Sequence, residues 1–295
     1  MKIAITGANS RVGQTFIQHI LDHSDNTVIA GARSESAFKS FPESDRVQPC
    51  VISYNDVEGL SKSLTGANCL VHLAGILMEG KGSSYKSANV DATAAVIKAA
   101  EMAGVEHVVF ISVVGASVDS ANAYFKSKAD AEKIVADSSI SSTIIRTPIL
   151  LGVGAAGAEA IKWASSNPKP KLLGGGRYTM RPLDIDDLCI AMLNACNAQR
   201  SGSVTHELVG PTPAQYCEII SMAAAMRGKT VEIASFPIGI AKFAASLRGL
   251  FKPGGMSPTV IDVITMNEVV EHNGDQALGV TLTPLQKTLE KFITK

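Results

Sequence analysis

The sequence predicts an α/β protein, a doubly wound parallel sheet with a small irregular C-terminal cap. Three observations predict it. Short runs rich in Val and Ile alternate with segments of helical apolar spacing through the first 150 residues, as buried parallel strands joined by crossover helices require. A glycine-bearing turn, T-G-A-N-S-R-V-G, follows the first of these runs directly. Apolar residues make up 46% of the chain and charged residues 18%, enough to cover a sheet on both faces.

Strands are expected at 2–5, 27–30, 47–52, 69–73, 107–112 and 142–146, each short and β-branched. Helices are expected at 12–21, 57–64, 91–103 and 124–137, with Gly104 as the stop of the third. Past Gly152 the rhythm breaks. Gly152, Gly154 and Gly157, then Pro168 and Pro170, then Gly174, Gly175 and Gly176 mark loops. Beyond them a helix is expected at 186–197, a strand at 204–209, and helices at 213–226, 236–255 and 284–293. The division is a core over 1–150 and an interleaved region over 151–295, comprising the cap, the late strand near 204–209 and the terminal helices.

The charge balance narrows the function classes. Lys and Arg number 27, as do Asp and Glu, and the pI is about 7.0. A dedicated nucleic-acid binder needs a basic excess for phosphate contacts, so that class is excluded. Aromatic residues at 5% also leave little for base stacking. Five cysteines are scattered without a C-x-x-C pair, which reads as reduced thiols in a cytoplasmic protein. Cys189 and Cys196 are expected to be buried as small hydrophobes. The N-terminus runs straight into a strand and shows no signal-peptide pattern. The apolar stretches 144–161 and 233–251 are interrupted by Arg146 and Glu159, and by Pro237, Lys242 and Arg248. No integral membrane segment is expected. The second stretch reads as a helical lid over a pocket, in preference to a contact with a membrane surface or a subunit.

The turn carries the first chemistry. Gly7 permits a tight turn and Gly13 a close approach of helix to strand, leaving the free amides of the helix start facing a pyrophosphate. Asn9, Ser10, Arg11 and Val12 complete the loop, Ser10 standing where many such loops carry a middle glycine. At the end of the second strand a carboxylate would accept from a free ribose hydroxyl and repel a phosphate. This chain has Ala32-Arg33-Ser34 there. Arg33 and Arg11, with no acid beside them, favour a phosphorylated ribose and hence NADP(H) over NAD(H).

Several segments now carry a resemblance: T-G-A-N-S-R-V-G, H-L-A-G at 72–75, N-V-D-A-T at 89–93, A-G-V-E-H-V-V-F-I-S at 103–112, Y-F-K-S-K at 124–128 and I-I-R-T-P at 144–148. With R-P-L-D-I-D-D-L at 181–188 and H-E-L-V-G-P-T at 206–212, the chain resembles the short-chain dehydrogenase/reductase superfamily over nearly its whole length. The likeness is to its extended and atypical branch, beside complex I accessory-subunit-like and NmrA-like proteins. The resemblance implies a Rossmann sheet and adds Ala74 and Gly75 to the cofactor-binding residues. It also implies that Tyr124 exchanges a proton with a substrate oxygen while Lys128 holds the nicotinamide ribose.

The spacing supports that pair independently. Tyr124 and Lys128 are i and i+4 and share a helix face, and an ammonium beside a phenol would lower its pKa. None of the other four tyrosines has a lysine four residues on. Members of the branch with activity place Ser or Thr where this chain has Val113. Ser112 precedes it, and strand alternation would point its side chain the other way. The expected function is an oxidoreductase acting on a small carbonyl or alcohol, with Tyr124, Lys128 and Ser112 as catalytic candidates. The alternatives are a nucleotide-binding sensor or scaffold without turnover and, more remotely, a nucleotide-sugar epimerase or dehydratase. The expected partner is a small-molecule substrate, and a homo-oligomer is compatible with the sequence. No metal site is expected: His19 and His23 fall on a solvent face, His72 packs near the adenosine at the end of its strand, and in the acidic cluster of Asp184, Asp186 and Asp187 the last two serve a helix start.

Overall fold

The computed structural model describes residues 1–198, 201–251 and 255–294. Its first half runs β1 (Lys2–Thr6), α1 (Arg11–His23), β2 (Thr27–Ala32), β3 (Val47–Val51), α2 (Val57–Leu64), β4 (Cys69–His72), α3 (Ala92–Ala103), β5 (His107–Val113), α4 (Ala123–Ala136) and β6 (Ser141–Thr147). The second half runs β7 (Leu150–Leu151), α5 (Ala156–Ser166), β8 (Lys171–Leu173), β9 (Thr179–Met180), β10 (Leu183–Asp184), α6 (Ile185–Asn197), β11 (Ser203–Glu207), β12 (Ala214–Gln215), α7 (Tyr216–Ala225), β13 (Ala234–Phe236), α8 (Ile238–Phe251), α9 (Pro258–Ile264) and α10 (Leu285–Ile293).

Seven parallel strands form one sheet in the order β11-β6-β5-β4-β1-β2-β3. The fold class is the doubly wound α/β sheet that the alternation predicts. Chain direction across the sheet reverses between β1 and β4, and such a switch point opens a crevice at the carboxyl ends of the strands. In register, Thr6 of β1 lies beside His72 of β4 and Gly31 of β2.

Each face has its own core. On one, Phe16, Ile17 and Ile20 of α1 and Leu188, Met192 and Cys196 of α6 cover Ile3, Ile5, Val71 and Val109. On the other, α2, α3 and α4 supply Leu60, Leu64, Val96, Ile97, Ala131 and Val135 over Ala4, Leu70, Val108 and Phe110. This is strand alternation made physical, since neighbours along β5 enter opposite cores. A third core, holding Leu151, Ile161, Ile219, Leu289 and Phe292, lies among α5, α7 and α10.

The second half departs most from expectation. Residues 152–176, read as loops, contain α5. The helix expected at 236–255 begins at Ile238, after Phe236 has paired with Leu173 in a short parallel ladder, and residues 252–254 of that expectation lie outside the described residues. The helix expected at 213–226 starts at Tyr216, where Gln215 and Glu218 form a capping box. The α9 helix has no counterpart among the expected elements. In the first half, the turn before α3 is π-helical over Lys86–Asp91, and one such turn in a helix is a frequent mark of a functional site.

The acidic group at the start of α6 is a fastening point. Asp184 caps the helix by accepting from the Asp186 amide. Lys291 of α10 bridges Asp184 and Asp186 at 2.7 Å each, and Asp187 accepts from the Thr283 amide and hydroxyl. The carboxylates thus tie the last helix to the sheet. Among the described residues, no group of three or more His, Cys, Asp or Glu is arranged to hold a metal ion, and no helix is long and apolar enough to cross a membrane.

Candidate functional site

The carboxyl ends of the strands open onto two adjoining cavities. The larger, about 520 Å³, is walled by Gly7, Asn9 and Ser10 after β1, Arg33 after β2, residues 52–55 after β3, and Ala74 and Gly75 after β4. The smaller, about 200 Å³, is walled by Ile111, Ser112 and Val113 of β5, Tyr124 and Lys128 of α4, and Thr147 and Pro148 after β6. Leu73, Gly75 and Ile76 line both, so the two form one groove across the switch point. The larger alone lies within the roughly 300–1,000 Å³ of small-molecule sites.

The glycine turn is built as its sequence demands. Gly7 has φ +76°, and a Cβ there would lie 3.0 Å from the Ala74 amide nitrogen. A Cβ on Gly13 would collide with the Ala8 carbonyl. Ser10 caps α1, its Oγ accepting from the Gly13 amide at 3.1 Å. That leaves the first-turn amides of Arg11 and Val12 without partners inside the helix, a preformed anion site at the positive end of the helix dipole. A dinucleotide's pyrophosphate fits this arrangement.

Of the two arginines, the groove takes one. Arg33 lines the larger cavity and is its single charged wall residue among those described. Burial lifts the Tyr54 phenol to about 12, and the Arg33 charge pulls the other way. Arg11 instead lays its guanidinium against Gly154, where an added Cβ would meet Nη2 at 2.7 Å. Neither Arg11, Val12 nor Gly13 lines the cavity. Gly13 is a packing residue, while Arg11 joins the turn to the loop before α5.

At the smaller cavity Tyr124 and Lys128 come together on one wall, but their electrostatics differ from the expectation. Lys128 is 7% exposed. Its Nζ donates to the Ile111 carbonyl at 2.8 Å and lies 4.3 Å from the Phe110 ring centroid. Burial lowers its pKa to about 8, with Glu132 opposing. Tyr124 moves the other way from the one foreseen: burial, then the neighbouring Tyr85, raises its phenol above the ordinary value. The lysine's bond to Ile111 directs its charge to the strand backbone, so the depressed phenol is not in place here.

Ser112 shares a β5 face with Phe110, the ring beneath Lys128, whereas Val113 follows Val109 and Ile111 to the opposite core. Alternation therefore puts Ser112 on the opposite side of the strand from Val113, as expected, and that side is the one α4 covers. Its Oγ is buried without a hydrogen-bond partner, the one such side-chain atom among the described residues. Buried hydroxyls rarely stay unpaired, so this enclosed Oγ is an unspent donor just behind the cavity wall.

The sequence reading left one positioning residue without a role. Asn89, in the π-helical turn, accepts from the Ile76 amide at 2.8 Å and donates to the Ile76 carbonyl and to Ser127 Oγ. It pins the wall shared by both cavities to α4. The N-V-D-A-T segment was its signal, but nothing local shows that its amide reaches 13 residues back. His72 is structural: Thr93 Oγ1 spends its proton on the Asn89 carbonyl, so it accepts from His72 Nε2, and His72 Nδ1 accepts from Thr6 at 2.6 Å. Burial and the Lys128 charge push its pKa down to about 3. Beneath the site, Arg146 of β6 grips Glu132 of α4 with two bonds of 2.9 and 2.6 Å.

The chain is similar to known nucleotide-binding proteins. The profile of a family described as NAD(P)H-binding matches residues 7–179. The mitochondrial NADH dehydrogenase (ubiquinone) 1 alpha subcomplex subunit 9 of Arabidopsis thaliana is 24% identical over 254 residues, covering 83% of this chain and 62% of that relative. The chain thus spans less than two thirds of that relative's length. Triphenylmethane reductase of Citrobacter sp., complexed with NADP(H), superimposes with a TM-score of 0.75 at 22% identity, over 98% of this chain and 99% of that one. UDP-glucuronic acid 4-epimerase of Bacillus cereus, in complex with UDP-glucuronic acid and NAD, gives 0.76 at 19% identity, over 100% and 98%. With the family profile covering more than half its length and the Rossmann-like fold shared with these structures, the chain belongs to the NAD(P)H-binding family.

Proposed function

We propose that the protein is an NADP(H)-dependent oxidoreductase for a small carbonyl or alcohol, with Tyr124 as acid/base and Lys128 as its partner. One observation carries the reading: Tyr124 and Lys128, a helical turn apart, wall one end of a groove whose other end is the glycine turn. The larger cavity would take the adenosine half, with Gly7, Asn9 and Ser10 of the turn lining it where α1 begins and the pyrophosphate would lie. Its described wall holds Arg33 and no carboxylate, which favours a ribose phosphate. The nicotinamide supplies or accepts the hydride when bound.

The chain's own task is alignment and proton handling. Lys128 is the single charged residue among the described ones lining the smaller cavity, and so the cation available to a phenolate at Tyr124 Oη. Ser112 Oγ, unpaired but enclosed behind the wall, would reach a substrate oxygen only after a local shift of the strand end. Asn89 and the Glu132–Arg146 clamp hold α4 against the sheet.

A second reading, a nucleotide sensor without turnover, is favoured by Val113 in the usual hydroxyl position and by the turn of Lys128 toward Ile111. Fluorescence titration with NADPH and NADH, followed by a carbonyl screen read at the cofactor's absorbance, separates the two. The oxidoreductase reading expects tighter NADPH binding and turnover lost on Tyr124→Phe with affinity kept. Tight NADPH binding with no turnover on any carbonyl leaves the sensor. A preference for NADH removes the assignment of Arg33.

A further inference from the structure

The chain between Leu77 and Tyr85 borders both cavities of the groove. Leu77 walls the smaller one, while Gly82 and Ser83 wall the larger one together with the glycine turn. The tip of this segment is a tight turn. Gly80 and Ser83 exchange both backbone hydrogen bonds, at 3.0 and 3.1 Å, with Gly82 at φ +78°. A Cβ added at Gly80 or Gly82 would meet nothing within 4 Å, so no other part of the protein packs against the tip there. A nucleotide filling the larger cavity would therefore be the tip's first neighbour.

Of residues 77–85 only Tyr85 is buried, and it fastens the rest. Its amide donates to Glu79 Oε1 and its hydroxyl to the Leu77 carbonyl, each at 2.8 Å. Both bonds run back into the segment, six and eight residues earlier, and close its base. The Tyr85 ring lies 5.8 Å from that of Tyr124, tilted by 57°, an arrangement that aromatic pairs favour. Ser257, the cap residue of α9, hydrogen-bonds the same phenol. One side chain thus joins the segment to α4 and to α9, while Asn89 holds the Ile76 backbone just before it. A loop bonded at its base and unpacked at its tip opens locally at far less cost than the sheet beneath it.

We propose that Tyr85 is a positioning residue of the nucleotide site, holding residues 77–85 as a strap against a bound nicotinamide dinucleotide. Tyr85→Phe keeps the ring and removes the hydroxyl bonds. NADPH or NADH, whichever binds more tightly, should then leave about fivefold faster, read by stopped-flow fluorescence on the full chain. Glu79→Ala, at an exposed position, removes the other tie and should speed release by a smaller factor. It keeps the test decisive if Tyr85→Phe fails to fold. Lys81 also puts a trypsin site in the tip, as exposed loop tips allow. Cleavage after it should be slowed by saturating nucleotide and quickened by Tyr85→Phe. Release unchanged in both variants overturns the proposal, even where the melting temperature falls, since Tyr85 would then be structural alone. Cleavage after Lys81 at one rate with and without nucleotide overturns it too. No carbonyl substrate enters these measurements, so a lack of turnover would count against the oxidoreductase reading alone.

Discussion

The two ends of the groove are prepared to different degrees. At the glycine turn everything that would receive a nucleotide is backbone or cap: the positive φ of Gly7, the Ser10 cap and the first-turn amides of α1. These are fixed by folding itself, because a helix start and a tight turn cannot form without them. At the α4 end the corresponding groups are side chains with other engagements. Lys128 is bonded to Ile111, the Tyr124 phenol is raised in pKa, and Ser112 Oγ is unpaired. Backbone geometry is preorganised at little cost, whereas a buried lysine takes the acceptor nearest to it. The difference teaches that binding is built into this fold more deeply than reaction.

Four experiments would break or sharpen that contrast. The largest effect is expected from Gly13→Val, whose side chain has no space beside Ala8. Thermal or denaturant unfolding should show a loss of about 3 kcal/mol, and nucleotide affinity should fall with it. Next comes Glu132→Ala, which leaves the partly buried Arg146 guanidinium without its bidentate partner. A loss of about 2 kcal/mol is expected by the same measurement. If nucleotide affinity fell as steeply as stability, the two ends would be one unit and the contrast would collapse.

Arg33→Gln acts at the turn end alone. NADPH affinity should weaken about tenfold while NADH affinity stays put, read by fluorescence titration. Equal loss for both nucleotides would make Arg33 a general contact rather than a phosphate reader.

The last effect is read as a slope, not a step: a pH dependence of stability from His72. Its folded pKa, about 3, lies below its unfolded value of about 6.5. Between those values the unfolded chain binds more protons, so stability is present in full above the upper one. It declines as pH falls through the window, by at most about 1.4 kcal/mol per pH unit from this group. A melting-temperature series on the wild type and His72→Gln should show the slope reduced in the variant; parallel curves would mean that the histidine titrates normally.

Much of the fold could be read without coordinates, and the site less so. The βα rhythm of the first half was legible because each buried strand must be apolar and short, and each crossover helix must bury one stripe. The α5 helix was not, since Gly152, Gly154 and Gly157 read as loop signals although Gly157 lies inside the helix. There the backbone approaches Ile149 and Leu150 too closely for a side chain, a tertiary demand that looks locally like a breaker. At the site, the shared face of Tyr124 and Lys128 follows from helical spacing. The lysine's choice of Ile111, 17 residues back, does not.

The sequence alone determined the doubly wound sheet, the glycine turn and the candidate pair on α4, because each rests on contacts within one element or between neighbouring ones. Only the tertiary structure decided that Arg33 enters the groove while Arg11 leaves it for Gly154, and that Ser112 stands on the α4 side with no partner. It also decided that α8 keeps an apolar face outward. Those outcomes depend on which segments meet across long stretches of chain. Periodicity sets which way a side chain points within its element, but what it meets there is settled when the elements pack.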